Sequence, residues 1–233
     1  MSRIDRLPPP PEKPVRSPPV AVAGEEPVRI GTLDARVHVP AAPRRAVVIC
    51  HPHPLYGGSM NSPVPLAIAK TLSDQVQGTV AWARFDFRGV GASGGTYDEG
   101  RGEVDDARAV IAHMRSVAPG VPIGVCGHSF GSWVGLRAAG LESGVDRCLL
   151  VAPSVRFFEF RDDAFVFAGD KTIFIGDQDE FCDVSEATEL ATRLGAKLRV
   201  FEGFDHHFMK SRRAMAEAAV PVIAPESADP VAV

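Results

Sequence analysis

The stretch VCGHSFGSW, residues 125–133, places Ser129 two positions after Gly127 and two before Gly131, directly behind the apolar run 121–126. Apolar residues before it and helix-forming residues after it put the serine at a strand-to-helix junction. That is the context in which G-x-S-x-G carries chemical meaning. A serine on so tight a turn is forced into a strained backbone conformation, and side chains two positions either side would crowd it, so glycine serves there. The hydroxyl is lifted above the sheet at a helix N-terminus, where backbone N–H groups favour developing negative charge. The bland alternative is a glycine-permitted turn with Ser129 as a helix cap.

Working outward, short β-branched runs alternate with longer segments of helical period. ARVHV (35–39) reads as an amphipathic strand. AVVIC (46–50), TVAWARFDF (79–87), PIGVC (122–126), RCLLVA (147–152), KTIFI (171–175) and KLRVF (197–201) read mostly as strands buried on both faces. Segment 103–118 repeats Val104, Ala107, Ile111, Met114 and Ala118 at helical spacing, opposite Asp105, Asp106 and Arg115. Helix-like composition also marks 63–76, 130–142, 185–194 and 207–219. The β-α-β-α order predicts a mainly parallel sheet covered on both faces, with ligands beyond the C-terminal ends of its strands.

A serine hydroxyl needs a base to take its proton and a third group to orient that base. Both kinds of residue follow later strands: Asp177 and Asp179 in GDQDEF, then His206 and His207 in EGFDHHF. Taken singly, each is more often a turn residue or a solvated histidine. Their Ser, Asp, His order on three post-strand loops is what gives them weight.

The 233 residues, 45% hydrophobic, suffice for one folded domain. The 25 basic and 29 acidic residues are mixed, for a net charge of −4, with no like-charge block to suggest nucleic acid or anionic lipid. No apolar run is long enough for a membrane span or signal peptide, so the expected compartment is the cytoplasm. The four cysteines lack metal-ligand spacing and read as buried free thiols. His51 and His53 stand at i and i+2 with no acidic or cysteine cluster to complete a metal site. RGVGASGG (88–95) does not fit a dinucleotide-binding loop. No cofactor is therefore expected. The proline-dense residues 1–27 read as a disordered arm, 28–222 as the domain and 223–233 as a flexible tail.

Five segments together resemble the α/β-hydrolase superfamily: HPHPLYGG (51–58), DFRGVGASGG (86–95), GHSFG (127–131), GDQDE (176–180) and FDHHF (204–208). Within it, the chain is similar to small, lidless bacterial serine hydrolases carrying an HPHPLYGG-type segment, over about residues 28–222. The resemblance implies an α/β-hydrolase fold and a triad of Ser129, His206 and Asp179, the last two favoured because Gly176-x-x-Asp179 and Asp205-His206 match the family's acid and histidine motifs. It also implies an oxyanion hole from the backbone N–H groups of Phe130 and of a residue after the strand AVVIC. Pro52 and Pro54 have no N–H, leaving His53, the positional match, with Leu55 as the alternative. The 88–95 loop is implied to wall the site's mouth. Only 18 residues, 153–170, occupy the place where relatives insert a cap, so none of substance is expected, and Phe157, Phe158 and Phe160 are candidates to line the pocket. The implied activity is hydrolysis of a small or short-chain ester or thioester, a small-molecule acyl substrate. The competing readings are a silent fold used for binding and a peptidase or amidase with the same residues. Nothing in the sequence sets an oligomeric state.

Overall fold

Three runs are buried at every position, β3 (Arg45–Cys50), β4 (Val80–Phe85) and β5 (Ile123–His128), as strands covered on both faces must be. They form the centre of an eight-stranded sheet in a computed structural model that describes residues 20–160 and 167–225. β6 (Val145–Val151), β7 (Asp170–Gly176) and β8 (Lys197–Phe201) extend it in parallel on one side. On the other side β2 (Leu33–His38) pairs antiparallel with β4, and β1 (Glu26–Ile30) with β2. The order is β1-β2-β4-β3-β5-β6-β7-β8.

Helices α1 (Pro63–Val76) and α5 (Arg212–Ile223) cover one face, and α2 (Arg101–Val117), α3 (Phe130–Leu141) and α4 (Val184–Leu194) the other. Strand alternation sorts the core accordingly. Val48, Cys50 and Val125 pack toward α2 and α3, whereas Val47, Ile49 and Cys126 pack toward α1 and α5. All four cysteines are buried and free, and burial pushes the Cys50 thiol up to about 12, so it stays an inert thiol at neutral pH. Among the described residues no helix is long and apolar enough to cross a membrane.

Four expectations need correction. β8 is an edge strand with three of its five residues exposed, because it is the last strand in the sheet order and pairs on one side only, with β7, among the described residues. The last helix begins at Arg212 rather than 207, because the preceding residues are spent on turns: Phe208 N–H bonds the Asp205 carbonyl at 3.1 Å and Phe208 itself has φ 53°. Residues 20–27, read as disordered arm, are part of the fold. Val22 is buried, and the Glu25 carboxylate meets Arg84 Nη2 at 2.6 Å with both side chains inaccessible. At the other end, Ile223 closes α5 and Ala224 is buried, both in the segment read as tail. The rest of the arm, 1–19, and of the tail, 226–233, lies outside the described residues.

Candidate active site

The C-terminal ends of β3, β5, β6, β7 and β8 bring the candidate residues to one rim of the sheet. Ser129 stands between β5 and α3 at φ 57° and ψ −119°, a region that L side chains rarely occupy. Such a conformation costs on the order of 1–3 kcal/mol and persists only where its surroundings hold it. Here they do. The Ser129 N–H bonds the Val151 carbonyl at 2.9 Å, and Ser132 Oγ donates to the Gly127 carbonyl at 2.7 Å. The flanking glycines are required by close approach: a Cβ on Gly127 would lie 2.1 Å from the Gly131 carbonyl oxygen, and one on Gly131 would lie 2.4 Å from that of Cys50.

Across the rim, His206 Nδ1 lies 2.9 Å from Asp179 Oδ2, both side chains almost wholly buried. Asp179 Oδ1 accepts the N–H groups of Phe181 (2.8 Å) and Cys182 (3.0 Å), which fix the carboxylate plane. A carboxylate accepts, so Nδ1 of His206 carries the proton and Nε2 keeps its lone pair. That leaves an imidazole held in the tautomer of a base. The other candidates are turned elsewhere. Asp177 Oδ1 accepts the Gly203 N–H at 2.6 Å, Asp205 Oδ1 accepts the Met209 N–H at 2.7 Å, and His207 is an exposed residue at the cleft wall.

Ser129 Oγ has its hydrogen-bond partner in Ser154 Oγ at 2.9 Å, a residue that follows β6. His128, between Gly127 and Ser129, donates Nε2–H to the His206 carbonyl at 3.1 Å, leaving its buried Nδ1 without a partner. Burial holds this imidazole neutral, its pKa well below the ordinary value.

The loop after β3 is organised by its own histidines. His51 donates Nδ1–H to the Pro52 carbonyl at 2.6 Å and accepts the Phe87 N–H on Nε2 at 3.0 Å. His53 accepts the Leu55 N–H on Nδ1 at 3.2 Å, capping the 3-10 turn Pro54–Tyr56, and its Nε2 lies 3.2 Å from the Tyr97 hydroxyl. Burial lowers His51 to about 3 and His53 to about 4, so both rings are neutral near pH 7. Every ring nitrogen of the pair is thus engaged within the protein, and neither imidazole offers a free lone pair to a metal. The His53 carbonyl accepts the N–H groups of Tyr56 and Gly58, each at 3.1 Å. Gly58 approaches so closely that a Cβ there would lie 2.1 Å from the Pro52 carbonyl oxygen.

Ser129, Ser154, His206 and His53 share a cleft of about 350 Å³. Phe157, Phe158, Phe181, Pro63 and Val64 give it apolar walls, and none of its described lining residues is an Asp, Glu, Lys or Arg. Two expectations about these walls are corrected. Phe160 is buried in the core rather than in the cleft, packed with Phe158 and Phe167 on the α2–α3 side of the sheet. The 88–95 loop is likewise no part of the lining. It is tied down behind the rim, with Ser93 Oγ donating to the Asp86 carbonyl at 2.6 Å and Arg88 paired to Asp106. Its continuation meets the site at Tyr97, whose hydroxyl lies against His53 Nε2.

Sequence reasoning missed Ser154, His128 and Phe181. Ser154 follows a strand on the same rim and could have been sought there. The Phe181 ring, set edge-to-face with His206 at 4.7 Å between ring centroids, depends on how the chain turns after Asp179 and leaves no sequence signal.

The model of the family described as serine aminopeptidase, S33, matches residues 41–164. An uncharacterized protein of Rickettsia prowazekii is 29% identical over 189 residues, covering 76% of this chain and 78% of that protein. The lidless α/β serine hydrolase of Xanthomonas campestris superposes with a TM-score of 0.75 at 28% identity, over 90% of this chain and all of that one (100%). An α/β serine hydrolase homologue from Coxiella burnetii gives 0.75 at 30% identity, over 89% and 100% of the two chains. A Pyrococcus furiosus esterase, at 17% identity and a TM-score of 0.73, shares the fold.

Proposed function

This chain belongs to the serine aminopeptidase S33 family, as a lidless α/β serine hydrolase, and from that premise we propose that it cleaves small, uncharged carboxylic esters or thioesters through a Ser129 acyl-enzyme. The observation that carries the reading is the pairing of a Ser129 hydroxyl on a strained turn with an Asp179–His206 couple at 2.9 Å in one cleft. Ser129 Oγ bonds to the acyl carbon while its proton passes to His206 Nε2, and the carbonyl electrons move onto oxygen. Collapse of the tetrahedral intermediate expels the alcohol or thiol oxygen or sulfur, which takes the proton back from His206. Water then repeats the sequence on the acyl-enzyme. Asp179 stabilises the imidazolium throughout.

Two backbone N–H groups hold the oxyanion in this reading, those of Phe130 and His53. Leu55, the alternative to His53, already donates its N–H to His53 Nδ1, which favours His53. The substrate class rests on the cleft lining. A free α-ammonium, as an aminopeptidase substrate carries, needs a carboxylate to receive it, and the described lining offers none. An apolar cleft of about 350 Å³ suits a short aliphatic or aromatic acyl group.

The test is a fluorophosphonate probe with peptide mapping, alongside p-nitrophenyl acetate, a short-chain acyl thioester and an aminoacyl anilide. An adduct on Ser129, absent in Ser129→Ala and strongly reduced in His206→Ala, with ester or thioester turnover exceeding anilide turnover, is expected. A folded protein that does not label would overturn the hydrolase reading in favour of a binding fold, and faster anilide turnover would overturn the substrate class.

A further inference from the structure

Ser154 has no part in the triad, yet its hydroxyl is the one that touches the nucleophile. It follows β6, is 2% exposed, and its Oγ lies 2.9 Å from Ser129 Oγ. Its position is fixed from both sides. Upstream, Ala152 adopts φ 48° with its N–H bonded to the Phe174 carbonyl at 2.8 Å. Downstream, the Ser154 carbonyl accepts the N–H groups of Phe157 (3.1 Å) and Phe158 (3.0 Å), the two rings of the cleft wall. A residue so anchored presents its hydroxyl in one place.

Proton counting decides the direction of the bond. Each hydroxyl has one hydrogen to place. Among the described residues, Ser129 Oγ is the one hydrogen-bond partner of Ser154 Oγ. If Ser129 donated, the buried Ser154 proton would have no protein acceptor, and the nucleophile's proton would point away from the base. If Ser154 donates, its own proton is satisfied and the Ser129 proton is free to turn to His206 Nε2, whose lone pair is exposed by the Nδ1–Asp179 bond. The second arrangement satisfies the buried Ser154 proton and leaves that of Ser129, in the open cleft, available to the base.

Resting on the reading of Ser129 as the nucleophile, we propose that Ser154 is a positioning residue for acylation: it donates its hydroxyl proton to Ser129 Oγ and thereby directs the Ser129 proton to His206. The same hydrogen bond opposes the partial negative charge that gathers on Oγ as the proton leaves. No atom of Ser154 is transferred. While Oγ is an ester oxygen it is a poor acceptor, so the contribution is largest in acylation and enters hydrolysis of the acyl-enzyme only as Oγ leaves.

The experiment compares wild type, Ser154→Ala and Ser154→Thr by the second-order rate of fluorophosphonate labelling at Ser129 and by the pre-steady-state burst with p-nitrophenyl acetate. The alanine variant is expected to label and acylate roughly tenfold more slowly, equivalent to about 1.4 kcal/mol of barrier, with a smaller fall in its deacylation rate constant. Threonine, which keeps the hydroxyl, should restore the rate to within about threefold of wild type, a recovery that a packing role alone would not give. Equal rates in wild type and Ser154→Ala, or a threonine variant as slow as alanine, would overturn the role of Ser154 while leaving Ser129 as nucleophile. A wild-type protein with no adduct on Ser129 would overturn the parent reading instead.

Discussion

Replacing Asp179 by Asn changes one atom in the site and reverses the logic of its hydrogen bonds. The Asp179 carboxylate faces three donors: the N–H groups of Phe181 and Cys182 on Oδ1, at 2.8 and 3.0 Å, and His206 Nδ1–H on Oδ2, at 2.9 Å. Asparagine has one oxygen, and two rigid backbone donors claim it. Its NH2 group is then left against His206 Nδ1, where two donors cannot meet. The imidazole can answer only by moving its proton to Nε2, which removes the lone pair that must accept the Ser129 proton. Loss of the correct tautomer in a Ser-His-Asp triad lowers kcat by about 10⁴, or about 5 kcal/mol at ~1.36 kcal/mol per decade. Initial rates of p-nitrophenyl acetate hydrolysis across neutral pH measure it. Asp177→Asn is the control: that carboxylate only staples the Gly203 N–H on the surface, so the rate should stay within about threefold of wild type. An Asp179→Asn protein retaining more than about a tenth of wild-type activity, or an Asp177→Asn protein losing as much, would refute the assignment.

Two further predictions concern stability. Glu25→Gln removes the counter-charge of an Arg84 side chain that is fully buried, and breaking such a pair typically costs about 3–5 kcal/mol; urea unfolding should show this loss, and an unchanged midpoint would mean that residues 20–25 do not belong to the fold. His51 and His53 are lowered from 6.5 to about 3 and about 4, so the unfolded chain binds more protons than the folded one below pH 6.5. Their contribution is complete above that pH and is lost as pH falls, at about 1.4 kcal/mol per pH unit for each ring until its folded value is reached. Between about pH 6 and pH 4 the slope of unfolding free energy against pH should therefore be positive, and His53→Gln, which removes one titrating ring, should flatten it.

The central strands were legible because runs buried on both faces are mostly apolar, as AVVIC is throughout and TVAWARFDF is apart from Thr79, Arg84 and Asp86. Segment 63–76 coincides with α1, and 130–142 and 185–194 match α3 and α4 to within a residue, because each is bounded by breakers or capping residues such as Asp183 and Gly195. β1 was not read. EPVRI is an edge strand with three exposed residues, and its half-polar pattern is that of an ordinary surface segment. Glu25 was assigned to a disordered arm for a similar reason, since nothing local says that a carboxylate will meet Arg84, 59 residues away.

By itself, the sequence determined the central strands, their alternation with helices and the turn on which Ser129 sits, because burial on both faces and a steric demand for glycine at 127 and 131 are written in consecutive residues. From the residues alone, Asp177 and Asp179 were equivalent, as were His206 and His207, and motif resemblance supplied the preference. Tertiary structure alone turned Asp179 toward His206 and Asp177 toward Gly203, gave Ser129 the hydroxyl of Ser154 as a neighbour, and left the described cleft lining without a charged side chain. Those outcomes depend on which way each side chain leaves its turn and on what a distant strand end brings against it, and neither is encoded in the spacing of residues along the chain.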